Sequence, residues 1–177
     1  MKIVRYILIV SSSLLLTIFI IGILSPSEYQ IQRSIEINDN PKNIEPYIMN
    51  IAYWEKWSYM SSKKDTSIKF SYYPSQFGDS TYAKWESKYM GTGTIKIYDY
   101  KPNEKINYEL LINENEHKIN GTFTFKYKDN KTLLTWIDYG ELGFNPIARI
   151  FGLFMEKFIG TDQEESLKNL KNLIENQ

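Results

Sequence analysis

The chain has no cysteine in its 177 residues. That excludes disulfides, thiolate catalysis, cysteine-ligated zinc and a lipid-modified cysteine anchor, and leaves the compartment open. It has one histidine, His117, in a polar turn that begins at Asn113. One histidine and no cysteine supply no transition-metal ligand set, so no metal is expected. Charge of one sign is also lacking, because 21 Lys and Arg balance 21 Asp and Glu. Without Lys2 and Arg5 the balance tips slightly acidic. A nucleic-acid partner would need a basic face, and none is expected. G-x-S-x-G, Walker and dinucleotide-fingerprint patterns are missing, and Gly91-Thr92-Gly93 reads as a turn or bulge opening a strand. No cofactor is expected.

What the chain has in excess is aromatic residues, 15% of the total, including 14 Tyr. These favour strands and lined interiors. It also has one long hydrophobic run. Tyr6 to Leu24 carries no charge, and as a helix it spans roughly 28 Å, close to the thickness of a bilayer core. The hydroxyls of Ser11 and Thr17 are tolerable there because they can bond back to helix carbonyls. A cleaved signal peptide is the rival reading. It lacks a small-x-small site, since Ile23-Leu24-Ser25 runs into Pro26. A retained single-pass membrane anchor is therefore expected. Lys2 and Arg5 precede the span, which puts the N-terminus in the cytoplasm and the domain outside. The division is residues 1–27 as anchor and linker, and 28–177 as one domain.

Glu28 to Ile37 alternates, with Tyr29, Ile31, Arg33, Ile35 and Ile37 on one face, which is strand periodicity. Asn40-Pro41 starts a short helix to about Met49, limited by Pro46. Ile51 to Trp57 reads as a second short helical piece. Strands follow at Ile68–Tyr72, Thr81–Tyr89, Gly93–Tyr100, Ile106–Ile112, Lys118–Tyr127 and Thr132–Tyr139, punctuated by turn residues at hairpin spacing. Asn145-Pro146 opens a helix that is apolar nearly all round to Ile159. A break is expected at Gly160-Thr161-Asp162, followed by an amphipathic helix carrying Leu167, Leu170, Leu173 and Ile174. Together these predict an α+β fold, with a curved antiparallel sheet of about seven strands, two short helices and a long C-terminal helix. The apolar helix segment is expected to roof a cavity.

Five stretches carry a resemblance: RSIEINDNPKNIEPYI (33–48), WEKWSYM (54–60), MGTGTIKIYDYKPNEKINYEL (90–110), GTFTFKYKDNKTLLTWIDYGELGF (121–144) and RIFGLFMEKFIGTDQEESLKNLKNL (149–173). They are similar to the START-related SRPBCC superfamily of polyketide cyclase-like, allergen-like and lipid-transfer domains. Tyr59 and Met60 depart from its W-x-K-W-S-P-W element. The resemblance covers about residues 28 to 176. It implies a helix-grip fold with an internal hydrophobic cavity, but no single activity, because members include binders, cyclases, dehydratases and co-chaperones.

The expected ligand is therefore a hydrophobic small molecule or lipid. Trp54 and Trp57 are either ligand contacts at a pocket mouth or packing that fixes their helix to the sheet. Trp85, Tyr108, Phe123, Phe125 and Trp136 face inward, as core or as pocket lining. Ile147, Phe151, Phe154, Met155 and Phe158 are the expected lid contacts. Arg33 is expected near a strand end, paired with Glu86 or Asp138. Glu86 and Asp138 are the two acid–base candidates, which matters only if they meet in one cleft. Binding is the leading reading, with a cyclase or dehydratase and a filled-core interaction module as alternatives.

Overall fold

The computed structural model describes residues 2–113 and 117–176. Among these, α1 (Lys2–Leu24) precedes β1 (Glu28–Ile37), α2 (Pro41–Met49), a 3-10 turn (Ile51–Tyr53) and α3 (Trp54–Trp57). Six strands follow: β2 (Lys69–Ser75), β3 (Gly78–Glu86), β4 (Thr92–Lys101), β5 (Lys105–Ile112), β6 (His117–Lys128) and β7 (Lys131–Glu141). The chain closes with α4 (Pro146–Glu175). The strands form one antiparallel sheet of order β1-β7-β6-β5-β4-β3-β2. This is the expected helix-grip arrangement.

Local chemistry sets the element boundaries. The Asn40 side chain accepts from the Lys42 N–H at 3.1 Å, and Pro41 sits at the first helical position of α2. Asn145 accepts from the N–H groups of Ile147 and Ala148 at 3.0 and 3.3 Å, and Pro146 follows it. A short polar acceptor followed by proline is the standard way to satisfy and preset a helix start. Asp129 and Asn130 take φ of 51° and 61° between the paired Lys128 and Lys131. Two successive positive φ values are what a two-residue hairpin turn requires. In β2 the register slips between Tyr73 and Ser75, around Pro74, which has no N–H for the ladder.

The core lies between the sheet and the second half of α4. That half buries Gln163, Ser166, Leu167, Leu170 and Ile174. Ile44 and Ile48 of α2 and both tryptophans of α3 close the same core. The expected break at Gly160-Thr161-Asp162 is absent. The helix runs straight through, and the Thr161 hydroxyl donates to the Lys157 carbonyl at 2.6 Å as an interior helix residue. At 1.5 Å per residue, α4 is roughly 45 Å long, longer than the sheet needs, and its first half extends beyond the core.

That first half differs from expectation in a second way. Ile147, Phe151, Phe154 and Phe158 are 62%, 66%, 50% and 65% exposed. They point to the outside of the helix and roof nothing, while Met155 is half-buried. α1 is long and apolar enough to cross a membrane. Only Gly22 of α1 is buried, and the hydroxyls of Ser11 and Thr17 bond back to the carbonyls of Leu8 and Ser13.

The two halves of α4 should respond differently to truncation. In a fragment lacking α1, Leu170→Ala should cost about 2–5 kcal/mol in urea unfolding, whereas Phe154→Ser should stay within about 0.5 kcal/mol of wild type.

Candidate functional site

The interior is built from side chains that register places in one row. Tyr108 on β5 pairs with Gly121 on β6, Gly121 pairs with Asp138 on β7, and Asp138 pairs with Ile31 on β1. Gly121 has no side chain to block the row, and a Cβ there would sit 2.0 Å from the Tyr108 ring. The tyrosine therefore lies across the glycine and reaches the strand beyond. A strand-interior glycine of this kind marks a close approach.

Asp138 is 2% exposed. Tyr108 donates its hydroxyl to Asp138 Oδ1 at 2.5 Å, and the Trp136 indole N–H reaches the Tyr108 oxygen at 2.8 Å and Asp138 Oδ1 at 3.1 Å. From α4, Gln163 Nε2 donates to Asp138 Oδ2 at 2.9 Å. This orientation turns Gln163 Oε1 away, and among the described residues that buried acceptor has no hydrogen-bond partner. Burial raises the Asp138 pKa from 3.8 to about 6, against the pull of the bonds from Tyr108, Gln163 and Trp136. Burial and the nearby Asp138 charge also push up the phenols of Tyr29, to about 12, and of Tyr59 and Tyr108.

Aromatic rings fill the space beside this cluster. Trp54 meets Tyr108, Phe123 and Trp136 edge to face with centroids 5.2–6.3 Å apart, and Trp57 meets Phe123 and Trp136 in the same way. Phe123 and Trp136 are 4.9 Å apart. These five expected ligand contacts thus touch one another, where a chamber was anticipated. Trp85 is buried on β3, outside this group of rings, and Phe125 is buried further along β6. The lid residues Ile147, Phe151, Phe154, Met155 and Phe158 do not join them.

Glu86 does not meet Asp138. It is exposed at the end of β3, four strand steps from β7, or roughly 19 Å across the sheet. Alternation gives the reason: neighbouring Trp85 takes the inward position, so Glu86 must point out. Arg33 lies in mid-strand and is held by Glu156 of α4 at 2.7 Å, not by Glu86 or Asp138.

Sequence reasoning missed Tyr59 and Gln163. Tyr59 stacks on Trp136, with centroids 6.0 Å apart and ring planes at 16°. Its N–H donates to the Ser166 hydroxyl at 2.8 Å, and Asn169 of α4 donates to the Trp57 carbonyl at 3.4 Å. Residue Tyr59 also borders an open cleft of about 410 Å³ between the α3–β2 segment and α4, shared with Trp57, Lys64 and Ser166. Gln163 was legible in principle, because it shares a helix face with Leu167, Leu170 and Ile174.

Residues 29–175 match the family described as polyketide cyclase / dehydrase and lipid transport. The chain belongs to this family. Solved structures share the fold. A START superfamily protein from Mycobacterium smegmatis is 17% identical with a TM-score of 0.54, covering 83% of this chain and 97% of that one. A Mesorhizobium loti protein is 14% identical with a TM-score of 0.60, covering 84% and 98%. The di-domain ARO/CYC BexL from the BE-7585A biosynthetic pathway is 11% identical with a TM-score of 0.59, covering 83% of this chain and 46% of that one. No curated protein matches the chain in sequence. As a cyclase/dehydrase and lipid-transport family member, the protein is a ligand-binding or cyclase-type domain.

Two measurements test the electrostatics of the family member's interior. Below the ordinary carboxyl pKa, Asp138 is protonated folded or unfolded. As pH rises toward about 6, the unfolded chain loses the proton first, so this group's contribution to stability falls, by about 3 kcal/mol in all. Asp138→Asn should remove that component, which is visible as the wild-type minus variant difference in urea stability between about pH 4 and pH 7. Tyr108→Phe deletes a bond that favours the carboxylate. It should cost about 1.5–3 kcal/mol at neutral pH and move the Asp138 titration, followed by carboxyl carbon NMR, further upward.

Proposed function

We propose that this protein is a membrane-tethered binding domain for an apolar small molecule or lipid with one polar end, taken up between the sheet and α4. The observation that carries this reading is the orphaned Gln163 Oε1 beside a buried carboxyl group in an otherwise aromatic interior. A buried acceptor without a donor is costly, and a ligand hydroxyl or amide is the kind of group that would satisfy it. Family membership supports the ligand class.

Entry is through Tyr59. Tyr59 borders the open cleft beside α4, and its ring covers Trp136, which bonds to Asp138. Swinging the segment that carries Trp54, Trp57 and Tyr59 outward breaks two hydrogen bonds to α4 and joins cleft to interior. In this reading α1 spans the bilayer, with Lys2 and Arg5 on the cytoplasmic side and the domain outside. A ligand that partitions into lipid then needs no long aqueous path.

A cyclase or dehydratase reaction would use Asp138, whose pKa of about 6 suits proton transfer near neutrality, with the Tyr108 hydroxyl beside it. It would have no help from Glu86. The filled-core interaction module is favoured by one specific observation, the mutual packing of Trp54, Trp57, Tyr108, Phe123 and Trp136.

Titration of the fragment 26–177 with the fluorescent fatty acid cis-parinaric acid decides between binder and module. A saturable single site is expected, with faster association in Tyr59→Ala. No saturable binding to either protein would reject the binder and leave the filled-core module.

A further inference from the structure

The outer face of α4 changes character at Gly160. Before it, Ile147, Phe151, Phe154 and Phe158 recur at helical spacing on the side opposite the sheet, and all are at least half exposed. After it, the same face carries Thr161, Glu165 and Asn172, all exposed. An apolar stripe roughly 17 Å long that stops at a fixed level is the mark of a helix lying partly against an apolar medium.

α1 identifies the medium. Its last turn is joined to the first turn of α4, the end where the stripe begins. Gly22 meets Pro146 so closely that a Cβ there would lie 2.5 Å from the Pro146 carbonyl oxygen. Arg149 fastens the joint, its guanidinium donating to the carbonyls of Ile23 at 3.0 Å and Ser25 at 3.4 Å, and to Gly143 at 2.7 Å. The Ile23 carbonyl lies in the last turn of α1, beyond the reach of the i+4 ladder, so the arginine serves as its cap. Two of the three charges in this half of α4 are thereby turned away from the stripe: Arg149 faces α1, and Glu156 faces Arg33 of β1. Lys157 flanks the stripe, where a long cationic side chain reaches headgroups.

We propose that Ile147, Phe151, Phe154 and Phe158 form a lipid-contact surface that lays the first half of α4 into the headgroup region of the bilayer crossed by α1. Phe144, 95% exposed with Arg149 at 5.7 Å from its ring centre, extends this surface to the joint. The proposal rests on the reading of α1 as a membrane span. It commits to lipid over a second copy of the chain because the stripe begins where α4 meets α1, among the described residues the one exposed apolar helix that has the length of a bilayer.

The cysteine-free chain makes the test direct. Single cysteines at Leu15→Cys, Phe154→Cys, Phe158→Cys and Asn172→Cys in the full-length protein are labelled with nitrobenzoxadiazole. Each variant is reconstituted into phosphatidylcholine vesicles containing nitroxide-labelled phosphatidylcholine. Emission from positions 15, 154 and 158 should be at least roughly halved by the quencher, with position 172 unaffected. Quenching at 15 but not at 154 or 158 leaves the anchor in place and overturns the lipid-contact surface. No quenching at 15 overturns the membrane span itself. Blue-shifted but unquenched emission at 154, with a crosslinked dimer, assigns the stripe to a second copy and also overturns the proposal.

Discussion

Asp138 places a carboxyl group where every surrounding contact is aromatic, aliphatic or a deliberate donor. Its bonds reach Trp136 on its own strand and, 30 and 25 residues away in sequence, Tyr108 of β5 and Gln163 of α4. A charge in such a place costs several kcal/mol unless it is bonded from several sides, so each donor is held to its position by the cost of leaving. The Tyr108 ring can reach only across Gly121. The indole of Trp136 must present its N–H edge, and that fixes the face on which Tyr59 stacks. The helix is held at one rotation by Gln163, and the same rotation buries Leu167, Leu170 and Ile174. The incomplete compensation, visible in the raised pKa, places the balance between protonated and ionised forms of this polar knot at about pH 6.

The two halves of α4 present different surfaces. Its first half meets β1 and the end of α1 on one side, and on the other the chain supplies phenylalanines where an ordinary surface helix would have charges. The transition falls at Gly160, which packs against the Arg33 guanidinium. The Arg33–Glu156 pair sits at this boundary, closing the core side while the opposite face stays apolar.

Much of the architecture was legible in the chain. Strand periodicity, the Asp129-Asn130 turn and the Asn-Pro helix starts each rest on local chemistry acting within a few residues, and the structure realises them. The unbroken α4 was not legible, because Gly160 and Thr161 weaken a helix only slightly, and packing of Gln163 and Leu167 against the sheet carries it through. The site was partly legible. Asp138 stood out as an acid between apolar neighbours, but Glu86 looked equivalent until the pleat assigned Trp85 inward. The partnership of Tyr59, Tyr108 and Gln163 depends on register and helix rotation, which no single segment encodes. The difference between aromatic rings that line a chamber and rings that fill it turns on small shifts in ring spacing, below the resolution of any residue pattern.

Pro74 has a consequence at the far side of the molecule. β2 ends the sheet, and its outer edge offers backbone donors and acceptors to any extended segment that approaches. An open edge of this kind invites strand-to-strand aggregation. Pro74 interrupts that strand, and a register slip of the kind found beside it makes an edge a poorer template. An imperfection in the ladder thus protects solubility, and it lies at the opposite end of the strand order from β1, which leads directly into the sheet from the α1 joint.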